Sequence, residues 1–362
     1  MCRFFFLIIA MFLQSTSAMS EDFISGSNGS FGAIVINQDT TIDLPPDGII
    51  HATTVNINSG RLTFNRNALN TPVYLLATGD IIIDGEISVS AFGRLGGPGG
   101  FDGGIKRDPV TRLGPSAGLG PGGSTGDAAY RSNGSSGAKT YGNALLMPII
   151  GGSGGGGIYQ ETFGQRNVDG GGGGGAIVVA SNTAIFLEGK ITARGAVVNY
   201  FKKGRFVGSG GRGSDGAIRL VSPSITGEGF LQAFSGRTRI DSLNSTSLTI
   251  SANSIGSLMQ VFPPLNPRLD IINAAGNSIP EGSNNEVLIF LPFDALAQQT
   301  ITVQGRDFTG FVPVEVVVVT ESGHRIIANT IIKMSDGNPA TATVDIELPL
   351  NTPMTVHAWT AY

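Results

Sequence analysis

One unit recurs three times in this chain, and it restricts the fold more than any other feature. Val73-Tyr74-Leu75-Leu76-Ala77 leads to Ile81-Ile82-Ile83-Asp84-Gly85-Glu86-Ile87. Ala176-Ile177-Val178-Val179-Ala180 leads to Ile185-Phe186-Leu187-Glu188-Gly189-Lys190-Ile191. Ala217-Ile218-Arg219-Leu220-Val221 leads to Ile225-Thr226-Gly227-Glu228-Gly229-Phe230-Leu231. In each copy an acid precedes a glycine, and an apolar residue stands two places after it. Alternation with period two puts one side of each run on a common face. A single unit of this size cannot bury its own apolar face, but stacked copies can. The expectation is an all-β chain whose body is a parallel β-helix, a solenoid spanning 19–262. The register pairs Ile87, Ile191 and Leu231, all pointing inward. An antiparallel sandwich is the competing architecture, but no hairpin dipeptide falls inside the unit.

Two glycine-rich insertions interrupt the repeat. Of 54 glycines, 29 lie between Gly93 and Gly175, and a second, shorter stretch runs from Gly204 to Gly216. Such a belt is either a flexible insertion or a stack of extended polyglycine strands that approach closely because no Cβ intervenes. Phage tail-tip adhesins and one class of antifreeze protein are similar in using glycine layers. Leu145-Leu146-Met147-Pro148-Ile149-Ile150 is apolar enough to pack back onto the body.

After Pro263-Pro264-Leu265-Asn266-Pro267, a stiff linker at 263–267, the pattern changes. Six or seven short runs follow, among them Ala340–Leu348, in which Ala340, Ala342, Val344, Ile346 and Leu348 alternate with Thr, Asp and Glu. Ser322-Gly323 and Asp336-Gly337 read as hairpin turns. An immunoglobulin-like β-sandwich over 268–362, without a disulfide, is expected.

The first twenty residues read as an export signal: Arg3, then the apolar run Phe4–Leu13, then small residues at Thr16 and Ala18. The expected signal peptide is 1–18, which places the protein outside the cell or on its surface. No later segment is apolar enough to cross a membrane. Cys2, the single cysteine, lies within that signal.

The inventory of reactive groups is thin. The histidines are His51, His324 and His357, so residues 52–323 hold no imidazole. The formal charge is −4, and no basic run exceeds Lys202-Lys203, which argues against a nucleic-acid partner. There is no Gly-Lys-Ser/Thr phosphate loop, and Arg237-Thr238-Arg239-Ile240-Asp241 mixes charges that read as surface pairs. Gly210–Ile218 resembles a single calcium-binding nonapeptide, with Asp215 as the weak candidate ligand; such sites share each ion between successive turns, and one copy supplies half. No cofactor and no catalytic set is expected. Asp84, Glu188 and Glu228 precede equivalent glycines and are the acids that the repeat could align on one turn edge, where solvated turn residues are the simpler reading.

Residues 41–262 resemble a group of uncharacterised secreted bacterial glycine-rich β-solenoid proteins, through Leu44–Ile49, Thr63–Asp80 and Gly96–Gly104. The end of the chain, with Ile279-Pro280-Glu281-Gly282 and Val356–Thr360, is similar to the end of the same proteins. More loosely, the body resembles filamentous-haemagglutinin-like adhesin helices, without that family's export motifs. The resemblance carries almost no function; the exported, all-β, two-domain organisation itself points to a non-catalytic surface or matrix module for adhesion or glycan binding, whose ligand is a polysaccharide or cell-surface group. The alternative is a polysaccharide lyase or hydrolase working with carboxylates on the same scaffold.

Overall fold

A computed structural model describes residues 23–360 apart from 108–113, 137, 161–165, 245–248, 266 and 284–285. The expected signal peptide and Asn266 of the linker lie outside the described residues. Among those described the chain is all β, with a single 3-10 turn at Met334–Asp336.

The body is made of parallel strands. Its first part contains β1 (Gly32–Ile36), β2 (Thr40–Asp43), β3 (Ile49–Ile57), β4 (Arg61–Asn65), β5 (Val73–Ala77), β6 (Ile81–Ile83) and β7 (Glu86–Ser88). The hairpin β8 (Ile158–Gln160) and β9 (Arg166–Val168) follows. Next come β10 (Ala176–Ser181), β11 (Ala184–Leu187) and β12 (Lys190–Thr192). A second hairpin is formed by β13 (Asn199–Lys202) and β14 (Arg205–Ser209), and the body ends with β15 (Ala217–Thr226), β16 (Phe230–Gln232), β17 (Arg237–Asn244) and β18 (Ser254–Gly256).

The repeat copies pair with one another in parallel. Ile83 stands opposite Leu187, and Ile191 opposite both Ile87 and Leu231. Ile87 and Ile191 are fully buried, and Leu231 packs against the same core. A five-stranded sheet runs β16-β12-β7-β4-β2. In the nine-stranded sheet, six strands close a ring, β10-β5-β3-β6-β11-β15. The closure comes from two long strands that each serve two neighbours along one edge. β3 pairs with β5 through Ile49–Ala52 and with β6 through Val55–Ile57. β15 pairs with β10 through Ala217–Val221 and with β11 through Ser224–Thr226.

Among the described residues the glycine belt is held together by its own hydrogen bonds. Gly170–Gly175 forms a central extended strand whose amides address three neighbours in turn. Gly170 and Gly173 donate to Gly104 and Phe101 at 2.8 Å each. Gly171 and Gly174 donate to Gly211 and Ser214, at 2.8 and 2.9 Å. Gly172 and Gly175 donate to Gly93 and Val89, at 2.9 and 2.7 Å. A three-residue period of this kind belongs to extended chains that make no internal hydrogen bonds and turn their polar groups outward in three directions. Carbonyls of the same strand accept from 152–155, where Gly152 donates to Gly174 and Gly155 to Gly171. A methyl group on any of these six glycines would fall 1.9–2.4 Å from backbone of a neighbouring strand. Glycine is required here by space, so the irregular spacing along the sequence does not prevent a bundle.

The belt also packs on the outer face of the body, as expected for 145–150. Leu146 and Ile149 join Tyr130 and Tyr141 against Val178, Ala180 and Val221. Arg237–Asp241, which reads in sequence as a surface charge cluster, is corrected by this cover. Arg219 and Asp241 are both wholly buried and Arg239 is 7% exposed.

The last part holds two antiparallel four-stranded sheets around one apolar cluster that includes Ile301, Val316, Val318 and Ile332. Its strands are β19 (Arg268–Ala274), β20 (Asn277–Ser278), β21 (Val287–Phe290), β22 (Gln298–Arg306), β23 (Phe311–Thr320), β24 (Arg325–Lys333), β25 (Ala340–Glu347) and β26 (Pro353–Thr360). The sheets run β20-β19-β22-β25 and β21-β26-β23-β24. Ser322-Gly323 turns the hairpin β23–β24, with Gly323 at φ +80°. Asp336-Gly337 is no hairpin turn. It carries the chain from β24 in one sheet to β25 in the other, because β25 pairs with β22. This unit seats on the belt: Trp359 meets Phe101 edge-on at 5.6 Å between ring centres, the Arg325 guanidinium donates to the Gly118 carbonyl, and Gly323 lies against Ile105.

Candidate functional site

An open cleft of about 450 Å³ lies where the belt meets the body. Three separate segments build it: 127–135 of the belt, 212–215 at the end of the second glycine stretch, and the turn at 234–235. Each wall is fixed by short-range hydrogen bonds. Asp127 accepts the Arg212 amide on Oδ1 at 2.7 Å, and the Asp127 amide donates to Ser135 Oγ at 2.6 Å. Arg131 ties the turn down, donating from Nε to the Gly236 carbonyl and from Nη2 to the Phe234 carbonyl, both at 2.9 Å. These tethers fix the backbone at Phe234, and the residue is 66% exposed. Asp127, Ser132, Asn133, Ser135 and Arg212 present exposed polar groups around it.

Asp215, the calcium candidate, lies at the floor of this cleft and is wholly buried. Its Oδ1 accepts the Gly195 amide at 2.7 Å and its Oδ2 the Ser235 amide at 3.1 Å, while its own amide donates to Ser235 Oγ at 3.0 Å. The carboxylate clamps two chain segments together. A calcium ion needs six to eight oxygens, usually with several carboxylates. Among the described residues no group of three or more His, Cys, Asp or Glu is gathered.

The three turn acids are elsewhere. Gly85, Gly189 and Gly229 lie one above another, since a Cβ on Gly189 would fall 1.9 Å from the Gly85 carbonyl oxygen and one on Gly229 2.4 Å from that of Gly189. Asp84, Glu188 and Glu228, just before them, are all exposed. The acid that does gather partners across the strands is Glu86, which sequence reasoning passed over. Its Oε2 lies 3.0 Å from Arg61 Nε and 3.2 Å from Lys190 Nζ, and Oε1 accepts from Thr192 Oγ1 at 3.0 Å. Burial alone would raise its pKa, but hydrogen bonds from Arg61, Lys190 and Thr192 outweigh that and hold it below the usual value. The signal was present in the repeat, which places Arg61, Glu86 and Lys190 side by side.

Two further polar clusters are sealed under the belt. Asp241 Oδ2 accepts from Arg219 Nε and Nη2 at 3.0 and 2.9 Å and from Arg239 Nε at 2.7 Å. Its Oδ1 accepts from Arg239 Nη2 at 2.6 Å and from the Leu258 amide at 3.0 Å. Nearby, burial pushes the Tyr74 hydroxyl up to about 12, against the pull of Arg219. In the second cluster, Tyr141 donates to the Gly151 carbonyl at 2.7 Å and accepts from Ser153 Oγ at 2.9 Å. Burial pushes this phenol well above its ordinary value. Both clusters are closed to solvent and serve to fasten the belt. His324 lies beside the Ser322-Gly323 turn, where its backbone bonds Thr320. His357 lies in β26 and makes a 3.1 Å hydrogen bond with Thr355 Oγ1.

No known protein family, curated protein or solved structure matches this chain. No helix among the described residues is long and apolar enough to cross a membrane.

Proposed function

We propose that this chain is an exported surface or matrix protein that binds glycan without cleaving it. The observation that carries the reading is the Phe234 cleft. A sugar ring offers an apolar C–H face and a rim of hydroxyls. An exposed aromatic ring on a tethered backbone suits the first, and Asn133, Ser132, Ser135, Asp127 and Arg212 supply donors and acceptors for the second. The cleft is open, and the Asp215 carboxylate is engaged by two amides on its floor. General acid–base cleavage calls for two groups free to exchange protons across a bond sheltered from water. Binding is therefore better supported than the lyase or hydrolase alternative.

The scaffold fits this role. The parallel in-register repeat copies support reading 19–262 as a parallel β-helix, with β3 and β15 as strands that run across two of its faces. The two antiparallel sheets about one core support an immunoglobulin-like sandwich for 268–362. A shaft with a hydrogen-bonded glycine bundle and a docked terminal unit suits an adhesin-like role.

The test is a glycan array probed with the mature protein and with Phe234→Ala. Among the neutral glycans on the array that the wild type retains, the variant should lose about tenfold or more in affinity, equivalent to about 1.4 kcal/mol, with no change in melting. Equal binding by both proteins would overturn the cleft assignment.

A further inference from the structure

The polyglycine strands run out of the bundle as two hairpins, and these gather positive charge that the sequence disperses. Strand 151–157 continues into β8, and β9 leads into 170–175; β13 and β14 branch from the belt in the same way, where the Gly210 amide bonds the Val198 carbonyl at 3.0 Å. The hairpins lie against each other, with the Arg166 guanidinium over Gly208. Lys106 and Arg107 join them: the Lys106 amide donates to Asp169 Oδ1 at 2.8 Å, and Asn167 Nδ2 donates to the Arg107 carbonyl at 2.7 Å. Arg107 also lies 4.2 Å from the Tyr159 ring centre. Within residues 104–107, 157–160, 166–169 and 197–210 there are six Lys or Arg and one acid, Asp169, and the adjoining 108–113 and 161–165 add Arg112, Asp108 and Glu161, in a chain of formal charge −4.

The outer hairpin closes on a tight turn. Lys203 and Gly204 take φ +50° and +73°, the left-handed pair of a two-residue turn matched to strand twist. Lys202 faces Arg205 at the apex, and behind them Phe201 faces Phe206, rings edge-on at 5.8 Å and 58% and 57% exposed. From the apex pair back to Gly208 is three residues, about 10 Å of strand. The charge is therefore laid along an extended ridge and not gathered in a cup.

We propose that this hairpin ridge binds an acidic polysaccharide. A linear polyanion with regularly spaced carboxylates matches cations set along a ridge, and the Phe201–Phe206 pair gives its sugar rings an apolar face. A bilayer is the poorer match, because insertion would lead with Lys202, Lys203 and Arg205 and drive charge into hydrocarbon ahead of the two rings. The inference rests on the glycan-binding reading but not on the Phe234 cleft, so the two sites fail or stand separately.

The test is affinity electrophoresis of the mature full chain in gels containing polygalacturonate, with neutral dextran as control. Wild type should be retarded by polygalacturonate only, and added salt should weaken the effect. The triple variant Lys202→Gln, Lys203→Gln, Arg205→Gln should lose tenfold or more in affinity while melting as wild type does. Lys106→Gln, on a separate segment, should show a smaller loss in the same direction, which covers misfolding of the hairpin. Phe234→Ala should be retarded like wild type. Equal retardation of wild type and triple variant, no retardation of either, or tighter binding to phosphatidylserine vesicles or to a single-stranded oligonucleotide than to polygalacturonate, would each overturn the proposal.

Discussion

Arg219 and Asp241, 22 residues apart in sequence, meet side by side on neighbouring strands at 2.9 Å with both side chains sealed from solvent. Arg239 shares the same carboxylate, so two guanidinium groups depend on one buried acid. Removing one partner of a buried charge network leaves the rest uncompensated, at a cost of about 3–5 kcal/mol. Asp241→Asn should lower the stability of the body by that amount in urea unfolding. A change below about 1 kcal/mol would show that the cluster is hydrated and that the belt does not cover it.

Ile191 stands between Ile87 and Leu231 in the paired register and is fully buried. Truncation to alanine should cost about 2–5 kcal/mol, as for buried aliphatic side chains generally. A nearly neutral Ile191→Ala would mean that the strand is out of register, since a one-residue slip turns this side chain to solvent.

The belt makes a sharper demand. A Cβ on Gly174 would fall 2.1 Å from the Ala193 carbonyl oxygen, whereas one on Gly114 meets nothing within 4 Å. Gly174→Ala should destabilise by about 2–4 kcal/mol. Gly114→Ala should stay within about 0.5 kcal/mol. Similar melting of the two variants would point to a belt without the hydrogen-bonded bundle.

The dock between the last unit and the belt should respond to pH. Burial holds the His357 imidazole below its ordinary value; Glu286 and Asp102 pull it up, and Arg325 and Arg66 push it down. A histidine with a depressed folded value contributes stability that is complete above pH ~6.5 and is lost as the pH falls. Glu315 works in the opposite sense, since burial raises its carboxyl, so its contribution declines as the pH rises from about 4.5. Melting temperature should fall between pH 7 and pH 5.5, and His357→Gln should flatten that slope. An unchanged slope in the variant would remove His357 from the account.

Much of the body can be read from sequence, because burial there follows alternation and the repeat fixes which residues become neighbours. Ile83 with Leu187, and Ile87 with Ile191, needed only alignment of three copies. The belt could not be read to the same depth. Its order depends on which amide meets which carbonyl, and glycine has no side chain to mark a partner. For the same reason Arg239 and Asp241 read as surface charges, since what covers them arrives from residues near 146–149. The cleft draws on 127–135, 212–215 and 234–235, and no local pattern joins those segments. The six cations of the hairpin ridge come from three separated stretches, each too short to register as a basic run.

The turn acids carry a prediction of little effect. Asp84, Glu188 and Glu228 are exposed and away from the cleft. Changing all three to Asn or Gln should leave melting within about 1 kcal/mol of wild type and glycan binding unaltered. A lost activity in that triple variant would establish them as functional.

The central claim is binding without cleavage, and the most direct measurement of it is the release of reducing ends over time from a polysaccharide that the protein retains. The account predicts saturable binding and a flat reducing-end trace, unchanged by Asp127→Asn. A trace that rises with time and with protein concentration, and that Asp127→Asn abolishes, would contradict it and make the cleft an active site.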